Sequence, residues 1–82
     1  MPWYDFIWNY EQGGNAEHIA DHGLSTDDVE EVICNPSETK MSWSSGRPVA
    51  TGYTLDGRRI LVVYEEIDDC TVYPVTAYVI GE

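Results

Sequence analysis

Pro48-Val-Ala-Thr-Gly-Tyr-Thr-Leu-Asp-Gly-Arg-Arg-Ile-Leu-Val-Val-Tyr-Glu65 decides the fold. Two β-rich runs, Pro48–Thr54 and Arg59–Glu65, flank Asp56-Gly57, the dipeptide of a type I′ hairpin turn. Ile60 to Tyr64 is apolar at every position, which places it centrally in a sheet with cover, at least in part, on both faces. A short strand is expected before this hairpin at Lys40–Ser44. Another follows it at Thr71–Ile80, after a turn at Asp68-Asp69. Pro74 inside that last strand cannot donate to a ladder, so a bulge or an edge is expected there.

The first third of the chain adds a strand and two helices. Residues 3–8 are rich in β-formers, with Phe6 and Trp8 alternating against Asp5 and Ile7. Gly13-Gly14 breaks the chain, and Asn15 is expected to cap a helix that ends before Gly23 and buries Ala16, Ile19 and Ala20. Ser25 and Asp28 form an approximate capping box for a second helix, which buries Val29, Val32 and Ile33 and stops at Asn35-Pro36. The order is β-α-α-β-β-β-β. Such a chain folds as a two-layer α+β domain, its helices on a mostly antiparallel sheet.

The 82 residues suffice for one domain, taken as 1–82, with one core. No run reaches the roughly 20 apolar residues of a membrane span, and residues 1–10 carry no basic, apolar leader. A cytoplasmic location is therefore expected, with no membrane partner. Cys34 and Cys70 are too few for a disulfide framework or a four-thiolate metal centre. His18 and His22 lie four apart, but Ile19 stands where a zincin helix needs Glu, so neither a metal nor a cofactor is expected.

Charge narrows the partners. Fifteen acids against four bases give −11, which repels nucleic acid over most of the surface. The bases Lys40, Arg47, Arg58 and Arg59 all fall within residues 39–64, where Asp56 is the one acid. That segment carries +3, and the rest carries −14.

Several short motifs, in order, resemble BrnT-type toxins of the RelE/ParE superfamily. They are Trp8, His22-Gly23-Leu24, Val29-Glu30-Glu31-Val32, Asn35-Pro36, Arg47 ahead of Gly52, Asp56-Gly57-Arg58 leading into Ile60–Tyr64, and Val75-Thr76-Ala77. The resemblance implies a RelE/BrnT-like fold and the toxin of a type II toxin-antitoxin system. It further implies a metal-independent ribonuclease with an antitoxin partner. Carried onto this chain, Arg58 and Arg47 would contact phosphate and His22 would act as acid or base. Tyr78 would stand where the family has arginine, as Asp21 stands where it has lysine. A second reading keeps the fold without the catalysis. In it the acidic runs Asp27-Asp28-Glu30-Glu31 and Glu65-Glu66-Asp68-Asp69 dock a basic protein partner. Motif order favours the first reading and net charge the second.

Overall fold

The structure is a computed structural model that describes residues 4–41 and 46–81. Seven elements follow one another: β1 (Asp5–Phe6), α1 (Asn15–Asp21), α2 (Thr26–Cys34), β2 (Glu38–Met41), β3 (Pro48–Tyr53), β4 (Arg59–Glu66) and β5 (Thr71–Gly81). One five-stranded sheet has the order β1-β5-β4-β3-β2. All its pairings are antiparallel except β1 with β5, which is parallel. The expected α+β architecture and element order are present.

Both helices lie on one face. Ala50, Val62 and Ala77 are in register across β3, β4 and β5. They form the floor on which Ile19 of α1 and Val29, Val32 and Ile33 of α2 pack, with Ile60 and Val72 in the same core. The expected cover of β4, at least in part on both sides, is present but uneven. Ile60 and Val62 are buried under helices, whereas Leu61 and Val63 point to the other face and are half-buried. Their apolar character is satisfied by in-plane neighbours on β3 and β5.

Local chemistry explains the elements. Ser25 Oγ accepts from the Asp28 amide at 3.3 Å and Asp28 Oδ2 accepts from the Ser25 amide at 3.0 Å, so the capping box of α2 closes as read. Its stripe of Val29, Val32 and Ile33 is buried, and Asn35 is the C-cap. The N-cap of α1 differs from expectation: Gly14 holds that position without a side-chain bond, and Asn15 is the first helical residue. Asn15 is instead a buried tie. Its Nδ2 donates to the carbonyls of Ile7 and Pro74, each at 2.9 Å, and its Oδ1 accepts from the Asn9 amide at 2.7 Å. Ala20, expected in the core, is exposed, because the narrow apolar face of so short a helix ends at Ala16 and Ile19.

Two strand boundaries also move. Of residues 3–8, Asp5 and Phe6 form the strand, extended by a bond from the Ile7 amide to the Val72 carbonyl at 3.0 Å. Trp3 lies outside the described residues. β2 starts at Glu38, before the expected Lys40, and positions 42–44 of that expected strand lie outside the described residues. The hairpin turn is not type I′, which needs positive φ at both central residues. Here Gly57 alone is left-handed, at φ 89°. The Gly57 amide donates to the Thr54 carbonyl at 3.0 Å and the Thr54 amide to the Arg58 carbonyl at 2.8 Å. This is the three-residue loop with a glycine bulge, in which only Gly57 needs the left-handed region.

Pro74 does sit at a bulge. Tyr64 pairs with Pro74 and Val63 with Thr76, leaving Val75 as the extra residue. In consequence Tyr73, opposite Glu65, and Tyr78, opposite Leu61, share one face of the sheet despite their odd separation.

Candidate functional site

Arg58 emerges from the hairpin into a set of acceptors. Its Nε bonds both Asp56 oxygens, at 3.2 and 3.0 Å. Nη1 donates to the Gly23 carbonyl at 2.9 Å and Nη2 to Asp28 Oδ2 at 3.3 Å. One guanidinium thereby joins the β3–β4 loop, the turn between the helices and the capping box of α2. Arg59, the next residue, points to the opposite face beside Tyr53 and is exposed. The Thr54 hydroxyl donates to Asp56 as well. That bond first, and Arg58 second, hold the Asp56 carboxyl below its ordinary value.

His22 lies beside the segment that Arg58 holds and near the ring of Tyr78, but Arg58 and Tyr78 themselves point to opposite faces of the sheet. His22 is the C-cap of α1, its amide bonded to the Ile19 carbonyl at 3.0 Å, and it adjoins the Gly23 that Arg58 holds. Its ring lies 6.4 Å from that of Tyr78 and 5.4 Å from that of His18. His18 Nε2 in turn bonds Thr76 Oγ1 at 3.0 Å. Arg47 does not join them. It sits at the start of β3, where its Nε meets Glu65 Oε1 at 2.8 Å. The strand from Arg59 to Glu65 separates the two arginines, a span of about 20 Å at ~3.3 Å per residue. Arg47 and Arg58 therefore do not converge on one phosphate. Each is matched to a carboxylate: Arg58 to Asp28 and Asp56, Arg47 to Glu65.

A second concave region lies along α2. An open hollow of about 360 Å³ is lined by Tyr4, Phe6 and Leu55 together with Asp27, Glu30 and Glu31. Tyr4 and Phe6 meet edge-to-face, with centroids 6.3 Å apart. Trp8 Nε1 donates to Glu30 Oε2 at 2.8 Å, and Asn35 Nδ2 to Glu31 Oε2 at 2.9 Å. Both donors are neutral, so they orient the two carboxylates and leave their charge in place. The Cys34 thiol, on the same wall, registers that charge: desolvation, then Glu30 and Glu31, push its pKa upward. No lysine or arginine is among the described residues lining this hollow.

The other acidic run is differently employed. Glu65 is paired with Arg47, and Asp68 Oδ1 accepts the Cys70 amide at 3.0 Å within the β4–β5 turn. Glu66 lines a hollow of its own with Tyr4, Met41, Pro48 and Tyr64, but Lys40 stands in that lining, whereas the described lining of the α2 hollow holds acids alone among its charged side chains. Tyr4 and Leu55 did not stand out in the sequence, and Phe6 did so only as part of a strand. The strand alternation that puts Tyr4 and Phe6 on one side was the signal that could have found them. Among the described residues no group of three or more His, Cys, Asp or Glu side chains is arranged to hold a metal ion. Among the described residues no helix is long and apolar enough to cross a membrane. No protein-family profile, no curated protein and no solved structure matches the chain.

Proposed function

We propose that this protein is a non-catalytic interaction module whose α2 face docks a basic segment of a partner protein. The observation that carries the reading is the hollow along α2. Asp27, Glu30 and Glu31 stand over aromatic and aliphatic side chains with no cation among its described lining. A lysine or arginine side chain suits such a place. Its methylene stem can lie on Tyr4, Phe6 and Leu55 while its charged head reaches the carboxylates. The net charge of −11 draws a basic partner in over a distance and repels RNA. We also propose a RelE/BrnT-like ancestry for the fold, on the order of the sequence motifs.

The ribonuclease reading finds weaker support. Arg58 faces two carboxylates and Arg47 stands at the other end of the strand, so the two arginines named for phosphate are each matched to acids and do not converge on His22 and Tyr78.

The test is a titration with a short Lys/Arg-rich peptide, followed by calorimetry at rising salt. Binding should weaken as salt rises and should drop in the double variant Glu30→Gln/Glu31→Gln, while Glu65→Gln leaves it unchanged. Failure to bind, indifference to salt, or full affinity in the double variant each reject the docking face. A parallel incubation with RNA should leave it intact. Cyclic phosphate ends that vanish in Arg58→Ala would reinstate the nuclease.

A further inference from the structure

β2 is an edge strand of the sheet, and among the described residues no strand pairs with its outer side. β2 is exposed at all four positions, and its inner side pairs with β3 in the register Glu38↔Thr51, Thr39↔Ala50, Lys40↔Val49 and Met41↔Pro48. The direction of its peptide groups follows from three observations. Pro48, opposite Met41, has no amide hydrogen to give. The Thr51 carbonyl accepts the Ser37 amide at 2.7 Å, so Thr51 bonds toward β2. The Thr54 amide bonds the Arg58 carbonyl, so the even-numbered residues of β3 bond toward β4. In an antiparallel ladder these roles alternate. Glu38 and Lys40 therefore bond to β3, and the N–H and C=O of Thr39 point outward.

We infer that β2 pairs antiparallel with β2 of a second copy of this chain, about a two-fold axis at Thr39. In that register Thr39 faces its counterpart and the two exchange both backbone bonds. Glu38 of each copy then lies opposite Lys40 of the other, at the non-hydrogen-bonded sites where opposed side chains come closest. The sequence Glu38-Thr39-Lys40 is its own complement in this arrangement, and among the described residues neither Glu38 nor Lys40 has an ion-pair partner within its own chain.

Global charge points to the same edge. Two bodies of −11 repel each other, and β2 opens the one segment, residues 39–64, whose charge is positive. The product is a continuous sheet of twice five strands with an isologous interface. So short a strand pairing buries little surface, so the dimer is weak and dissociates on dilution.

Sedimentation equilibrium from roughly 10 µM to 1 mM, the range suited to a small interface, tests this. The unaltered chain should pass from monomer to dimer. Lys40→Glu and Glu38→Lys should each weaken dimerisation by about tenfold or more, because like charges then face each other twice. Mixing those two variants should restore association as a heterodimer. Thr39→Pro should abolish it with the circular dichroism spectrum unchanged, since the amide removed serves no bond to β3. A monomer throughout the range overturns the inference. So does a dimer that ignores these substitutions, or single charge variants whose mixture fails to associate.

Discussion

Replacing Asn15 with Leu keeps the branched heavy-atom skeleton of the side chain and removes every polar atom from a site that is 4% exposed. Three backbone groups lose their partner at once: the carbonyls of Ile7 and Pro74 and the amide of Asn9. An orphaned buried group costs about 1–3 kcal/mol. The Ile7 and Asn9 bonds are only partly buried and fall at the low end, so the sum is about 3–4 kcal/mol. A domain of this size has about 4–12 kcal/mol in total, so the variant should be close to unfolding. Urea denaturation followed by tryptophan fluorescence measures the loss, with the slope unchanged if only stability has moved. Asn15→Asp separates polarity from geometry. It can still accept from Asn9, but a carboxylate oxygen then faces two carbonyl oxygens. Burial raises the pKa of that carboxyl in the folded state, so Asn15→Asp should regain stability as pH falls and protonation supplies a donor. A loss below about 1 kcal/mol in Asn15→Leu, less than one orphaned group costs, would refute the account of Asn15 as a tie.

Three other perturbations probe the remaining joints. Arg58→Ala should cost about 1–2 kcal/mol, after discounting its partly exposed ion pairs, and Arg58→Lys should recover only a fraction, since one ammonium cannot reach Gly23, Asp28 and Asp56 together; thermal unfolding decides. Gly14→Ala should destabilise by about 1–3 kcal/mol, because a Cβ there would collide with the Asn9 backbone carbonyl; a melting temperature equal to that of the parent would contradict the close approach. The carboxyls of Asp56 and Asp68 are both held below the ordinary value of 3.8. Their contribution to folding is thus complete above that value and is lost as pH falls through their lower folded values. Carboxyl NMR titration should find both midpoints below 3.8, and a midpoint at or above it for Asp56 would remove the proposed hold of Thr54 and Arg58.

What could be read from the chain was what neighbouring residues settle between themselves. The capping box at Ser25 and Asp28, the stripe of Val29, Val32 and Ile33, and the hairpin around Gly57 all depend on contacts within a few positions. Apart from the turn type at Asp56-Gly57 and the exposure of Ala20, the structure departs from the sequence reading where distant segments intervene. Asn15 has the chemistry of a cap, and only the arrival of β5, with the Pro74 carbonyl, turns it into a tie. Ile60 to Tyr64 is apolar throughout, yet both helices reach a single face, and no pattern within the strand says which. The bulge at Pro74 was anticipated as an alternative, and it decides that Tyr73 and Tyr78 share a side. For the site, His22 comes near both Tyr78 and the segment held by Arg58, while Arg47 stands apart. An ion pair of Arg58 with the surplus carboxylates was an open alternative, but its partnership with Asp28 was not legible, because Asp28 is remote in sequence and is brought near by the packing of α2.

The position of β5 between β1 and β4 has a consequence for the order of assembly. A chain leaving the ribosome can form its helices and the β3–β4 hairpin early, but Phe6 finds its neighbour Val72 only when the last strand emerges. Closing so long a loop is entropically expensive and slow compared with forming a hairpin. Until then α1 lacks the wall it leans on, and the nascent molecule exposes the apolar surfaces of Ile19 and Ile60. Completion of this domain is therefore gated by β5, the strand that arrives after all the others.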